Sequence, residues 1–216
     1  MSRAPSLCGV ILAAGDSTRM GSDKALLPWP PVLPGQPPAG TFLSAAIESL
    51  SPFSDVVIVV GGKNADRVAP FVYAAGASLV VNQEPARGQF SSLQIGLQEV
   101  LNRGRDAALV TLVDRPPVSR NTVSQLCAAF SDALERWKWA VVPEVSGQHG
   151  HPIVLGREMI EAFLKAAATS TARDVEHQHA QHIEYTPVDD PAVTINVNTP
   201  EQYAALRANQ PTSAGD

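Results

Sequence analysis

Short β-branched runs alternate with longer helical stretches along most of the chain, and this alternation restricts the fold more than any other feature of the sequence. Strands are expected over residues 9–13, 55–60, 77–81, 107–113 and 139–143, each a near-continuous apolar run. Such continuity marks strands buried on both faces. Helices are expected between them, over residues 41–50, 65–73, 91–102 and 123–137. In the last of these, Val123, Leu126, Phe130, Leu134 and Trp137 recur at steps of three or four and form one apolar stripe. Asn121 stands just ahead of it as an N-cap. Alternating β and α elements build a mostly parallel sheet with helices on both faces, a three-layer α/β/α Rossmann-like arrangement. Right-handed crossovers then limit the topology. With 216 residues, one domain over residues 1–209 is the natural expectation. The small, polar tail over residues 210–216 is expected to fray.

Open sheets of this kind bind ligands beyond the C-terminal ends of their strands. That rule brings together the loops after Ala13, Val81 and Val113. The first is the most informative, for residues 12–24 read LAAGDSTRMGSDK directly after an apolar run. Ala13, Ala14 and Gly15 leave room for the backbone to come close to a ligand, where larger side chains would stand in the way. Their N–H groups can then point at anionic oxygens. Arg19 and Lys24 add positive charge that does not depend on the backbone. Ser17 adds a hydroxyl suited to a hydrogen bond with phosphate. The stretch is neither a Walker A loop nor the dinucleotide fingerprint, because G-x-x-x-x-G-K-[ST] and G-x-G-x-x-G both fail.

Asp114 follows the run over 107–113 and precedes Arg115-Pro116-Pro117. A carboxylate at a strand end suits Mg²⁺, which takes hard oxygen ligands and shares them with substrate phosphates. Capping of the following turn is the other reading. Asn196 and Asn198 alternate with Ile195 and Val197, as they would near the end of a strand. Their amide oxygens are acceptable metal ligands, or the pair serves only in turns and caps. Thr199 and Pro200 make a good helix start. Ser91 and Ser92, after Arg87-Gly88-Gln89, can cap their helix and hydrogen-bond a base or ribose. His151, in the stretch GHPIVL, is a candidate contact for a second substrate, although a lone histidine is often structural. His177, His179 and His182 read as a solvated helix end or loop, since no zinc pattern accompanies their H-x-H-x-x-H spacing. No G-x-S-x-G elbow supports a serine nucleophile.

A net charge of −5 argues against a general nucleic-acid binder. No apolar run approaches the ~20 residues of a membrane span, and no secretory leader is evident. Cys8 and Cys127 show no metal spacing and read as reduced packing residues. A cytoplasmic protein is expected. Residues 29–40, WPPVLPGQPPAG, carry too many prolines for a helix or central strand and read as an exposed loop.

The stretch over 12–24 resembles the signature loop of the nucleotidyltransferases, L-A-A-G-x-S-x-R-M-G-x-x-K. Together with GQFSSLQIGL, LVDRPP, GHPIVL and PVDDPAVTINVNTPEQY, it is similar to the molybdenum cofactor nucleotidyltransferase family, in particular its cytidylyltransferase branch. LAAG in place of LAGG favours that branch. Asn196-Val197-Asn198 stands where the branch usually shows Asp-x-Asp and is closer to the guanylyl pattern. Arg115 replaces a more usual Met or Gln, and residues 170–182 lack the G-D-x-G-A-R element. The resemblance implies a nucleotidyltransferase domain that joins CMP, with CTP favoured over GTP, to a phosphorylated small-molecule acceptor such as molybdopterin. It implies Mg²⁺ as cofactor, held by Asp114 and Asn198 with Asn196 nearby. Arg19, Lys24 and Asp114 carry the catalytic roles. Leu12, Ala13, Ala14, Gly15, Ser17, Ser91 and Ser92 join Arg19 and Lys24 around the nucleotide, and His151 faces the acceptor. A molybdoenzyme or chaperone is the implied protein partner. A sugar-phosphate acceptor, or a non-catalytic nucleotide-binding role in cofactor delivery, stays open.

Overall fold

The structure, a computed structural model, describes residues 6–17, 20–32 and 37–208. Ten strands and seven α-helices are found among them. The strands are β1 (Leu7–Leu12), β2 (Pro28–Trp29), β3 (Gly40–Thr41), β4 (Val56–Gly61), β5 (Ser78–Val81), β6 (Ala107–Leu112), β7 (Ala140–Val145), β8 (Gln148–His149), β9 (Ile153–Gly156) and β10 (Ile183–Pro187). The helices are α1 (Phe42–Leu50), α2 (Ala65–Ala74), α3 (Gln89–Asn102), α4 (Arg120–Glu135), α5 (Arg157–Lys165), α6 (Ala172–Gln178) and α7 (Pro200–Ala208).

The main sheet has the order β10-β7-β9-β6-β1-β4-β5, with β8 paired to β7, and β2 and β3 form a separate two-stranded ribbon. Pairings among β6, β1, β4 and β5 are all parallel. β9 runs antiparallel between β6 and β7, so the sheet is mostly parallel but mixed. The expected α/β architecture is therefore found. Successive residues alternate between its two faces, as the pleat requires. Ile11, Val57, Val59 and Leu109 join one core with Leu43, Ile47, Leu126 and Phe130 from α1 and α4. Val10, Ile58, Val60 and Val110 join the other with Leu97, Ile160 and Phe163 from α3 and α5. Those two cores are the two sides of a three-layer stack.

All five expected strands form, with ends shifted by a residue or two. Several local readings need correction. The cap of α4 is Ser119, not Asn121, for its Oγ accepts from the Thr122 N–H at 3.2 Å. Trp137 does not extend the stripe, because α4 stops at Glu135 and Trp137 lies 83% exposed at φ 58°. Residues 195–198 form no strand; they are irregular chain between a 3₁₀ turn (Pro191–Thr194) and α7. Strands β9 and β10 and helices α5 and α6 were not foreseen. Of the proline-rich stretch, residues 33–36 lie outside the described residues, as does the whole tail over 210–216. No helix among the described residues is long and apolar enough to cross a membrane.

Candidate active site

β1, β4, β5 and β6 end at one edge of the sheet, and the segments that follow β1, β5 and β6 line a cavity of about 170 Å³. Register fixes this convergence, since Leu12 pairs with Val60 on one side and Leu112 on the other. Beyond the last rungs, the Ala13 N–H donates to the Val60 carbonyl at 2.9 Å and the Val113 N–H to the Leu12 carbonyl at 3.0 Å. The three strand ends are thus held together one residue past the sheet. Leu12, Ala13, Ala14, Gly15, Ser17, Lys24, Ser92 and Asp114 all contribute to the wall.

Two features set the path of the loop over residues 13–17. Gly62 packs directly beneath it, and a Cβ there would lie 2.8 Å from the Ala14 carbonyl oxygen. Ser17 is held at φ 48°, a left-handed conformation that costs a non-glycine residue about 1 kcal/mol or more. Its Oγ accepts from the Lys24 backbone N–H at 3.1 Å, which ties both ends of the loop. Open space surrounds Gly15, because a Cβ built there would meet nothing within 4 Å. Arg19 lies outside the described residues.

Lys24 is the electrostatic centre of the cavity. Its Nζ lies 3.2 Å from Asp114 Oδ2 and donates to Asn198 Oδ1 at 2.7 Å. Only 13% of the lysine side chain and 24% of the aspartate side chain are exposed, so the pair is weakly screened by solvent. The other carboxylate oxygen, Asp114 Oδ1, is buried without a partner, and so is Asn196 Oδ1. A carboxylate and an amide oxygen that converge on one cation, with the second carboxylate oxygen of Asp114 left unsatisfied, form a donor set of hard oxygens. That set fits a small divalent ion which completes its shell with phosphate and water. The lysine ammonium bridges the Asp114 and Asn198 oxygens that would hold such an ion. Among the described residues, no group of three or more His, Cys, Asp or Glu could hold a metal, and the 177–182 histidines make none.

A second cavity of about 640 Å³ adjoins the first, with Leu12, Gly88, Gln89 and Leu112 in both walls. Its lining mixes apolar Phe90, Leu93 and Ile153 with Arg87, Arg173 and Glu176. His151 lines this second cavity, not the first. Burial, aided by the Arg115 cation, pulls its pKa down to about 3, so the imidazole is neutral at physiological pH. Its Nδ1 is buried without a partner. Burial of Glu176 in the same wall raises its carboxyl pKa, partly offset by His177, His149 and Arg173.

The two serines behave unlike free helix caps. α3 begins at Gln89, ahead of both. Asn82, itself buried, donates from Nδ2 to both Ser91 Oγ and Ser92 Oγ at 2.9 Å. Ser91 passes its own hydroxyl hydrogen to the Gly88 carbonyl at 2.8 Å and lines neither cavity. Ser92 reaches the wall of the smaller one. The sequence reading missed Asp23 and Asn64. Asp23 is buried, and its two oxygens accept from the Ala25 N–H at 3.1 Å and from Asn64 Nδ2 at 3.0 Å. Asn64 Nδ2 also donates to the Ala13 carbonyl at 3.0 Å, clamping the loop from outside. The signal for Asp23 was its place just before Lys24; Asn64 carried none.

Residues 9–183 match the family of the MobA-like NTP transferase domain. The chain belongs to that family. Like other MobA-like NTP transferases, it is a nucleotidyltransferase, and its relatives share most of its length. A probable molybdenum cofactor guanylyltransferase of Rhodopirellula baltica is 29% identical over 91% of this chain and 89% of its own. The molybdenum cofactor cytidylyltransferase of Escherichia coli is 21% identical, covering 92% and 94%. The crystal structure of Rv0371c from Mycobacterium tuberculosis superposes with a TM-score of 0.78 at 23% identity, over 95% of this chain and all of that one. This MobA-like chain thus shares its fold with the mycobacterial protein, and its relatives include both guanylyl- and cytidylyltransferases.

Proposed function

We propose that the protein transfers CMP from CTP to the terminal phosphate of a molybdopterin-type acceptor, with Mg²⁺ bound at Asp114 and Asn198. The observation that carries this reading is the Lys24 ammonium lodged between Asp114 Oδ2 and Asn198 Oδ1, beside a loop of small residues. An acceptor phosphate oxygen attacks the α-phosphorus. As that P–O bond forms, the bond from the α-phosphorus to the bridging oxygen breaks and pyrophosphate departs. Little covalent chemistry falls to the protein, which must align the two phosphates and offset the growing charge.

Lys24 and Arg19 steady the triphosphate and the departing pyrophosphate, since both are cations of the signature loop. Leu12, Ala13, Ala14 and Gly15 present backbone to base and ribose, with Ser17 and Ser92 as hydroxyl partners. Ser91 acts indirectly, by fixing the turn at Gly88. Asn196 stands by with its unpaired amide oxygen. A bound divalent ion would supply charge neutralisation on phosphate oxygens. The acceptor occupies the larger cavity, where neutral His151 offers one donor and one acceptor nitrogen and the apolar wall suits a flat ring system.

The CTP preference rests on the L-A-A-G form of the loop, in which Ala14 stands where guanylyl-type loops carry glycine. GTP is the second reading, favoured by the Asn-x-Asn pattern and by the guanylyltransferase relative. Thermal shift with each NTP plus Mg²⁺ separates them, because stabilisation follows affinity. Stabilisation by CTP beyond the other three supports the first reading; a larger shift with GTP replaces it by the second.

A further inference from the structure

Residues 191–198, which carry both asparagines, belong to no sheet; besides the Lys24–Asn198 side-chain contact, three hydrogen bonds tie their backbone to the core. The Val197 N–H donates to the Asp114 carbonyl at 2.8 Å. The Val193 carbonyl accepts two hydrogen bonds, from the His151 N–H at 2.9 Å and from Arg115 Nη1 at 3.0 Å. The approach at Val193 is as close as backbone allows. A Cβ on Gly150 would lie 2.2 Å from the Val193 oxygen, so only glycine permits it.

Of the three ties, Arg115 supplies the one made by a side chain, and it does so under unfavourable conditions. Its Nε is buried without a partner. The guanidinium is partly buried. A cation that is poorly solvated and incompletely bonded costs stability. An apolar side chain of similar length would fill the same space without that cost. What the guanidinium adds is a directed bond to the segment that bears Asn198.

We propose that Arg115 is a positioning residue whose bond to the Val193 carbonyl holds the asparagine segment in register against Asp114 and thereby sets the affinity for a divalent cation. The inference rests on the metal assignment above, and the two fail differently. Mn²⁺ is the probe, with free ion counted by electron paramagnetic resonance on the full-length protein without nucleotide. Arg115→Met should weaken Mn²⁺ binding about tenfold, about 1.4 kcal/mol. Arg115→Lys, which keeps a charged donor, should recover most of the loss. Gly150→Ala, which pushes the Val193 carbonyl away with Arg115 intact, should weaken binding as Arg115→Met does. CTP affinity measured without metal should stay within about threefold of wild type in Arg115→Met, since Arg115 lines neither cavity.

Unchanged Mn²⁺ affinity in Arg115→Met overturns the inference, as does loss in Arg115→Lys equal to that in Arg115→Met. Should Arg115→Met not fold, Arg115→Lys and Gly150→Ala decide it: weakening in Gly150→Ala with near-normal binding in Arg115→Lys is expected, and normal binding in Gly150→Ala overturns it. If Asp114→Ala leaves Mn²⁺ binding intact, it is the metal assignment that falls.

Discussion

Replacing Lys24 by methionine should separate stability, metal affinity and turnover in a way that other readings of the cavity do not. The substitution keeps most of the side-chain volume and removes the ammonium. At 3.2 Å, the attraction between Nζ and the Asp114 carboxylate is about 5 kcal/mol for an effective dielectric of about 20. Desolvation offsets much of that, and breaking such a pair costs about 3–5 kcal/mol when it is fully buried. With 13% and 24% of the two side chains exposed, about 2–3 kcal/mol is the reasonable net cost, because Asp114 and the Asn198 oxygen both lose their donor. For a chain of this size that lowers Tm by roughly 5–10 °C in the presence of chelator. A divalent ion reverses the sign. In the wild type it must displace the ammonium, whereas in the variant it meets a bare carboxylate. Mn²⁺ should therefore bind Lys24→Met about tenfold more tightly, a gain of about 1.4 kcal/mol, and restore most of the lost Tm. Pyrophosphate release should nevertheless fall by about a thousandfold, near 4 kcal/mol of lost charge stabilisation. Thermal melts with chelator and with saturating Mn²⁺ measure the first two effects, and a coupled pyrophosphate assay the third. Equal melting of variant and wild type in chelator, or no extra stabilisation by Mn²⁺, would refute the placement of Lys24 as the stand-in for a cation.

Gly62→Ala places a methyl 2.8 Å from the Ala14 carbonyl; a destabilisation of about 1–3 kcal/mol is expected, with CTP binding weakened about tenfold in calorimetry. His151, held neutral with a pKa near 3, binds fewer protons folded than unfolded below about pH 6.5. Its contribution is complete above that pH and is lost as pH falls towards 3, at up to about 1.4 kcal/mol per pH unit. Denaturant titrations across pH 4 to about 7 should therefore show a shallower slope for His151→Gln than for wild type; parallel slopes would contradict the assignment. Asp114→Asn removes the charge but keeps an oxygen, and should cut Mn²⁺ affinity by more than about tenfold with circular dichroism unchanged.

The layer order was legible because its cause is local. Continuous apolar runs such as residues 56–61 are buried on both faces, and α4 shows a clear stripe at Val123, Leu126 and Phe130. The part of the sheet built from β9 and β10 was not. β10 reads Ile-Glu-Tyr-Thr-Pro, a mixed pattern suited to a strand with few buried residues, and β9 is only four residues long. Their pairing is a tertiary fact, set by partners far along the chain. The same division holds at the site. Lys24 and Asp114 stood out as a cation in a small-residue loop and a carboxylate at a strand end. Their meeting with Asn198 depends on irregular chain whose ties run through Val193 and Val197, carbonyl and N–H groups that no sequence pattern reveals. Ser91 misled for a related reason, since the residue that claims its hydroxyl, Asn82, lies nine positions earlier across a turn.

The direct test of the account is pyrophosphate release from CTP by the purified protein, given molybdopterin and Mg²⁺. Release matched mole for mole by a cytidylylated acceptor, dependent on the divalent ion and abolished by Asp114→Ala, is the predicted result. Tight CTP binding with no pyrophosphate from any nucleotide, across molybdopterin and sugar-phosphate acceptors alike, would contradict it.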